Sequence, residues 1–155
     1  MGLFMMLASA TWGHAGVFTP FYRIAGVLDR AAYDVSLEEA AGGSRFWLEP
    51  QTALPGACVH LGLAGFFGMV FVLLARGRPG ARPGGLVLAG AAWGLAVAVA
   101  MVPVLRLVGG SVGGGDLIAE VPARLGWPTY VGMHLVYGLA LGAVVAWRAT
   151  RRAHA

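Results

Sequence analysis

Lysine does not occur in this chain, cysteine occurs once, and no acidic residue falls inside its long apolar runs. Each shortage removes a class of chemistry. Without lysine there is no Gly-Lys-Ser/Thr phosphate loop, and the stretch Gly109-Gly110-Ser111-Val112-Gly113-Gly114-Gly115 follows no strand, so it reads as a flexible hairpin. The single Cys58 permits no intrachain disulfide and leaves the redox compartment open. All seven acids (Asp29, Asp34, Glu38, Glu39, Glu49, Asp116 and Glu120) sit in connections. Paired carboxylates, a Ser/His/Asp set and a cysteine nucleophile are therefore missing at membrane depth, and the expectation is a protein that is not an enzyme. The net charge is +4 and the pI near 10.0, but no basic stripe is interleaved with aromatics, so nucleic acid is not an expected partner.

What is present in quantity is hydrocarbon. Hydrophobic residues make up 58% of the chain, charged residues 12%, and the mean hydropathy is +0.73, outside the usual range for a soluble domain of this size. In a bilayer every backbone polar group must be paired within its own segment, so long uncharged runs separated by short charged ones mean spanning helices. Four such runs are found, at about 2–24, 53–75, 84–107 and 128–147, each about 30 Å long as a helix. They predict an all-α, single-domain integral membrane four-helix bundle covering 1–155. Ala8-Ser9-Ala10 mimics a signal-peptide cleavage site, but no basic segment precedes it and only Leu3 to Leu7 would serve as the apolar core. The first run is therefore read as a retained helix.

Basic residues set the expected orientation. The connection Arg76 to Arg82 and the tail Arg148 to His154 hold six arginines and no acid. By the positive-inside rule both lie in the cytoplasm, which with four spans puts both termini there and the protein in the cell inner membrane. The same arginines suit anionic lipid headgroups, so the lipid bilayer is the first expected partner.

The two halves repeat one plan. Pro20-Phe21-Tyr22-Arg23-Ile24-Ala25-Gly26 recurs as Pro103-Val104-Leu105-Arg106-Leu107-Val108-Gly109, and His60-Leu61 with Ala64 and Gly68 recurs as His134-Leu135 with Gly138 and Gly142. Each half reads as an apolar helix ending in Pro-x-x-Arg, a polar excursion, and an apolar helix with a His near its start. The bundle is thus expected to consist of two repeated helix pairs.

Two connections carry local signals. Leu28, Ala31, Ala32 and Val35 recur at helical spacing, with Asp29, Arg30, Asp34 and Glu38 on other faces and Gly42-Gly43 as a stop, which predicts a short interfacial helix. Phe46-Trp47-Leu48, Trp127 and Tyr130 predict an aromatic belt at the outer boundary. Gly62, Gly65 and Gly68, Gly90 and Gly94, and Gly138 and Gly142 mark faces where helices approach closely, either within the chain or against another subunit.

Polar residues at membrane depth are costly, and each is a site hypothesis. His60 and His134 lie on two repeat-related helices, near the same depth. Three roles are open to them: hydrogen-bond bridging to Thr11, Thr52, Thr129 or Tyr137; ligation of a haem iron, or of a transition metal with His14 added; and proton or solute handling. His14 has no counterpart, the equivalent position being Val97. Arg23 and Arg106 end the first and third helices, where they snorkel into headgroups, present an anion site, or pair with outer acids such as Asp29 and Asp116. Pro20 and Pro103 are expected to kink both helices and open a vestibule above the His pair, the place to look for a ligand.

The segment His134-Leu135-Val136-Tyr137-Gly138 with Gly142, together with His60-Leu61, resembles small uncharacterised bacterial multi-pass membrane proteins that end in a similar helix. The resemblance covers the helical parts and implies an inner-membrane four-helix fold; it brings no activity with it. Two functions follow from the residues. One is a non-enzymatic accessory or scaffold subunit that packs with itself or with other membrane subunits. The other is a protein that binds a haem, metal or small solute at His60 and His134.

Overall fold

The computed structural model describes residues 2–26, 30–76, 82–111 and 116–153, and those residues are all-helical, with no strand among them. The order is α1 (Gly2–Thr11), α2 (Thr19–Ala25), α3 (Arg30–Ala41), α4 (Pro50–Arg76), α5 (Pro83–Ser111), α6 (Asp116–Ala119), α7 (Val121–Leu125) and α8 (Trp127–Ala153). Three of these, α4, α5 and α8, are long and apolar enough to cross a membrane.

The first apolar run is not the continuous helix expected over 2–24. Its helix stops at Thr11, and ten residues reach only about 15 Å, half a hydrocarbon core. The sequence supplies the break. Gly13 N–H donates to the Ala8 carbonyl at 2.9 Å and Ala15 N–H to Ser9 at 3.1 Å, closing the end of α1, while His14 takes the left-handed φ of 49°. Ser9 Oγ then donates to the Gly16 carbonyl at 2.8 Å, and Pro20, which has no N–H to lose, stands in the first turn of α2. Gly2 lies beside the His60 ring, Phe4 beside Gly132, and the Phe21 carbonyl beside Gly56. Trp12 Nε1 donates to Thr129 Oγ1 at 2.9 Å. α1 and α2 thus flank only the opening turns of α4 and α8, rather than running alongside them from end to end.

α5 and α8 form the tightest pair. A Cβ on Gly94 would strike the His134 carbonyl and one on Gly142 would lie 2.6 Å from the Leu86 carbonyl, so the glycines of both helices let the two backbones touch. α4 stands further off. Trp93 Nε1 reaches the Phe67 carbonyl at 3.2 Å, and the Tyr137 hydroxyl donates to the Ala64 carbonyl, two side chains that hold α4 to the α5–α8 pair across a gap. Gly68 of α4 faces Tyr137 and Leu141, but Gly62 and Gly65 have only open space before them.

A short helix does form where one was expected, as α3, and Gly43 with φ 97° ends it. Its buried face is turned from the expected one. Ala32, Tyr33 and Ser36 are buried while Ala31 and Val35 are exposed, because the Tyr33 ring packs into a cluster with Tyr22, Ala53 and Leu117. Leu28 and Asp29 lie outside the described residues. The aromatic belt needs a correction too. Phe46 and Trp127 are exposed, but Tyr130 is buried and its hydroxyl donates to the Ala98 carbonyl at 2.9 Å. Tyr130 therefore ties α8 to α5 in the interior.

Candidate functional site

Because α4 stands off from α5 and α8, a cavity of about 340 Å³ lies between them, with α2 on one side and α6 and α7 across one end. This volume falls within the ordinary range for ligand pockets. Its walls are nearly all hydrocarbon: Met5, Ile24, Val59, Leu63, Phe67, Val97, Met101, Val104, Leu105 and Val108 among them. The polar members are few: Arg23, His60, Tyr130, His134 and Tyr137.

His134 is buried, and its Nδ1 lies 2.8 Å from the Tyr130 carbonyl one turn back on α8. A carbonyl only accepts, so Nδ1 carries the proton of that bond, and in the neutral ring the lone pair belongs to Nε2. Nε2 makes no hydrogen bond among the described residues. The Tyr130 ring stacks at a tilt on the imidazole, 4.6 Å between centroids. His60 is held differently. Its ring is buried edge-on to Phe21 at 6.2 Å and makes no hydrogen bond among the described residues. Thr11, Thr129 and Tyr137, expected as bridging partners, are engaged elsewhere, with Leu7, Trp12 and Ala64 respectively. Both imidazoles nonetheless border one cavity, each from its own spanning helix.

Arg23 departs furthest from expectation. It is 8% exposed, it borders the cavity, and its Nε and Nη1 have no hydrogen-bond partner among the described residues. Nη2 lies 3.3 Å from the Tyr33 hydroxyl, and the guanidinium carbon is 5.5 Å from the Tyr33 ring centre, a cation–π contact. A guanidinium in this position does not snorkel. Burial with no counter-charge among the described residues costs several kcal/mol, which neither a neutral hydroxyl nor a ring face offsets in full.

Arg106 does not match it. It is exposed on α5 and is not among the residues lining the cavity, and Pro103, three residues before it, is an exposed residue inside a helix that continues to Ser111. Pro20 by contrast is buried at the start of α2 and lines the cavity. The repeated Pro-x-x-Arg therefore serves two local structures. His14 is exposed in the α1–α2 turn and does not line the cavity, so the trio His14, His60 and His134 is not assembled. Among the described residues no group of three or more His, Cys, Asp or Glu is placed to hold a metal ion. Asp29 and the Asp116 side chain, expected as acids for the arginines, fall outside what is described.

No protein-family model matches the chain, and no match was found among curated proteins or solved structures.

Proposed function

We propose that this is a polytopic membrane protein that takes up a small, mainly apolar molecule in the chamber between α4 and the α5–α8 pair, and does no chemistry on it. The observation that carries this reading is the convergence of His60, His134 and Arg23, from three different helices, on one cavity whose walls are otherwise hydrocarbon. A few converging polar groups in an apolar pocket are the usual form of a small-molecule site. A haem or a transition metal is the other ligand class that two imidazoles suit.

Saturable binding of the neutral fluorophore N-phenylnaphthylamine tests the chamber. With the purified protein in phosphatidylcholine nanodiscs, the emission should rise to a plateau near one probe per chain, and Met101→Trp, which places a large ring on the cavity wall, should abolish the rise. No excess signal over empty nanodiscs would refute the reading. A Soret band in the purified protein would transfer it to haem.

A second reading, an accessory subunit packing with itself or with a larger membrane complex, is favoured by α4. Its Gly62 and Gly65, three apart and so on one face of the helix, have open space before them, and small residues on a helix face permit close helix approach in lipid. Gly62→Leu should shift the oligomeric mass in sedimentation if that face meets another protein, and leave it unchanged if it meets lipid. The pairing of α2 with α4 and of α5 with α8 supports the two-pair plan of the fold. The six arginines of the 76–82 connection and the tail support an inner-membrane location with those two segments in the cytoplasm.

A further inference from the structure

We infer that the molecule held in the chamber is an anionic amphiphile, a hydrocarbon chain bearing one carboxylate or phosphate, with its head on Arg23 and its chain along the α4–α5 wall. The inference rests on the chamber reading and adds the chemical class of the ligand. Three observations converge. Arg23 is more than nine-tenths buried, and two of its three guanidinium nitrogens lack a partner among the described residues. It borders a cavity whose remaining surface offers almost nothing but methyl, methylene and ring carbon, from Val59 and Leu63 on α4 to Met101 and Val108 on α5. The cavity's 340 Å³ is the room of about eleven waters at about 30 Å³ each, enough for the ten to twelve heavy atoms of a medium-chain acid.

The chemistry favours an anion over a neutral ligand. A fixed positive charge out of water draws a counter-charge, and once the closed-off Nε and Nη1 turn toward the chamber, a carboxylate or phosphate meets the guanidinium fork with paired, charge-assisted hydrogen bonds that an alcohol or quinone oxygen gives only singly and without charge. His60 and His134, at the same cavity, do not supply that counter-charge, since a neutral or protonated imidazole brings none. The apolar walls in turn reject a small hydrated anion, which would lose its water and gain nothing from the rest of the cavity. Only a ligand with both parts satisfies both halves of the site.

Displacement of N-phenylnaphthylamine from the nanodisc-embedded protein by three ten-carbon chains tests this. Decanoate should displace the probe at concentrations roughly 10- to 100-fold lower than decanol, the span expected for hydrogen bonds to a charged group, and decylamine should be weaker than decanol. Arg23→Leu should remove the advantage of decanoate and leave decanol unchanged; Arg23→Lys, which keeps the charge and loses the fork, should fall between. Should Arg23→Leu fail to fold, the wild-type order of the three chains and the Arg23→Lys value decide. Mixing phosphatidylglycerol into the nanodiscs separates the sources. Weakened decanoate binding would show that the bilayer's own anionic lipid occupies the site, and an unchanged value that a free acid does. Equal displacement by decanoate and decanol, with probe binding intact, overturns the inference and leaves the chamber standing. Failure of the probe to bind at all overturns both.

Discussion

Gly90 and Gly138 meet backbone to backbone: a Cβ on either would run into the carbonyl oxygen of the other. The contact is reciprocal, so neither helix can yield without parting from its neighbour. Gly138→Ala should therefore destabilise the protein by about 1–3 kcal/mol, the usual penalty for overfilling a packed contact. Gly62→Ala meets nothing within reach and should be neutral or up to about 1 kcal/mol stabilising, from helix propensity alone. Unfolding in detergent by circular dichroism compares them. Equal losses at the two positions would contradict the packing of α5 on α8.

The turn between α1 and α2 is bound to the segment that follows α3. Arg45 Nη1 donates to the Ala10 carbonyl at 3.3 Å, and Val17 N–H to the Arg45 carbonyl at 2.8 Å. Thr11 and Ser44 should then be reachable from the same side of the membrane, and Arg78 from the other. In a Cys58→Ser background, an impermeant thiol reagent on intact cells should label cysteines placed at Thr11 and Ser44 and spare one at Arg78. Labelling at 78 with none at 44 would invert the orientation. Labelling at 44 with none at 11 would return the first run to a full span.

How much of this was legible in the sequence depends on which force decided each element. Hydropathy alone placed α4 and the starts of α5 and α8 within three residues, because a 20-residue uncharged run has few other solutions in lipid, while α5 and α8 run four and six residues beyond the expected ends. Their glycine faces were legible for a related reason, since close backbone approach needs Gly90, Gly94, Gly138 and Gly142. The split of the first run was also written there, in Gly13, Gly16 and Pro20, but mean hydropathy outweighed those local signals. The vestibule was expected from kinks at both Pro20 and Pro103; only Pro20 lines the cavity, from the first turn of α2, while Pro103 is exposed within an α5 that runs on to Ser111. That Arg23 turns inward and Arg106 outward was not legible, because the two share a motif and differ only in what packs over them, Tyr33 from α3 in the first case. Such a difference belongs to tertiary structure.

α4 is tied across the cavity by the Tyr137 hydroxyl on the Ala64 carbonyl and the Trp93 indole on the Phe67 carbonyl. Tyr137→Phe and Trp93→Phe should each cost about 1 kcal/mol, a typical interhelical hydrogen bond in a membrane. The double variant should loosen α4 as a unit and raise the off-rate of the chamber probe more than either change alone. Stopped-flow fluorescence measures this. Off-rates equal to wild type in the double variant would show that these bonds do not hold the chamber's wall.

The two histidines should respond oppositely to the same substitution. His134 gives its Nδ1 proton to Tyr130, so His134→Leu forfeits a bond worth about 0.6–1 kcal/mol, while His134→Gln, whose amide can donate to the same carbonyl, should recover part of it. His60 has no hydrogen bond to lose among the described residues, and a buried polar ring without a partner carries a desolvation cost of about 1–3 kcal/mol. His60→Leu should then leave stability unchanged or raise it. Both leucine variants should still alter ligand binding, because both rings border the cavity. Unfolding midpoints set beside probe affinity separate the two effects. If His60→Leu proves the more destabilising of the pair, the ring has a partner of its own, and the division between a bridging His134 and an unpaired His60 fails.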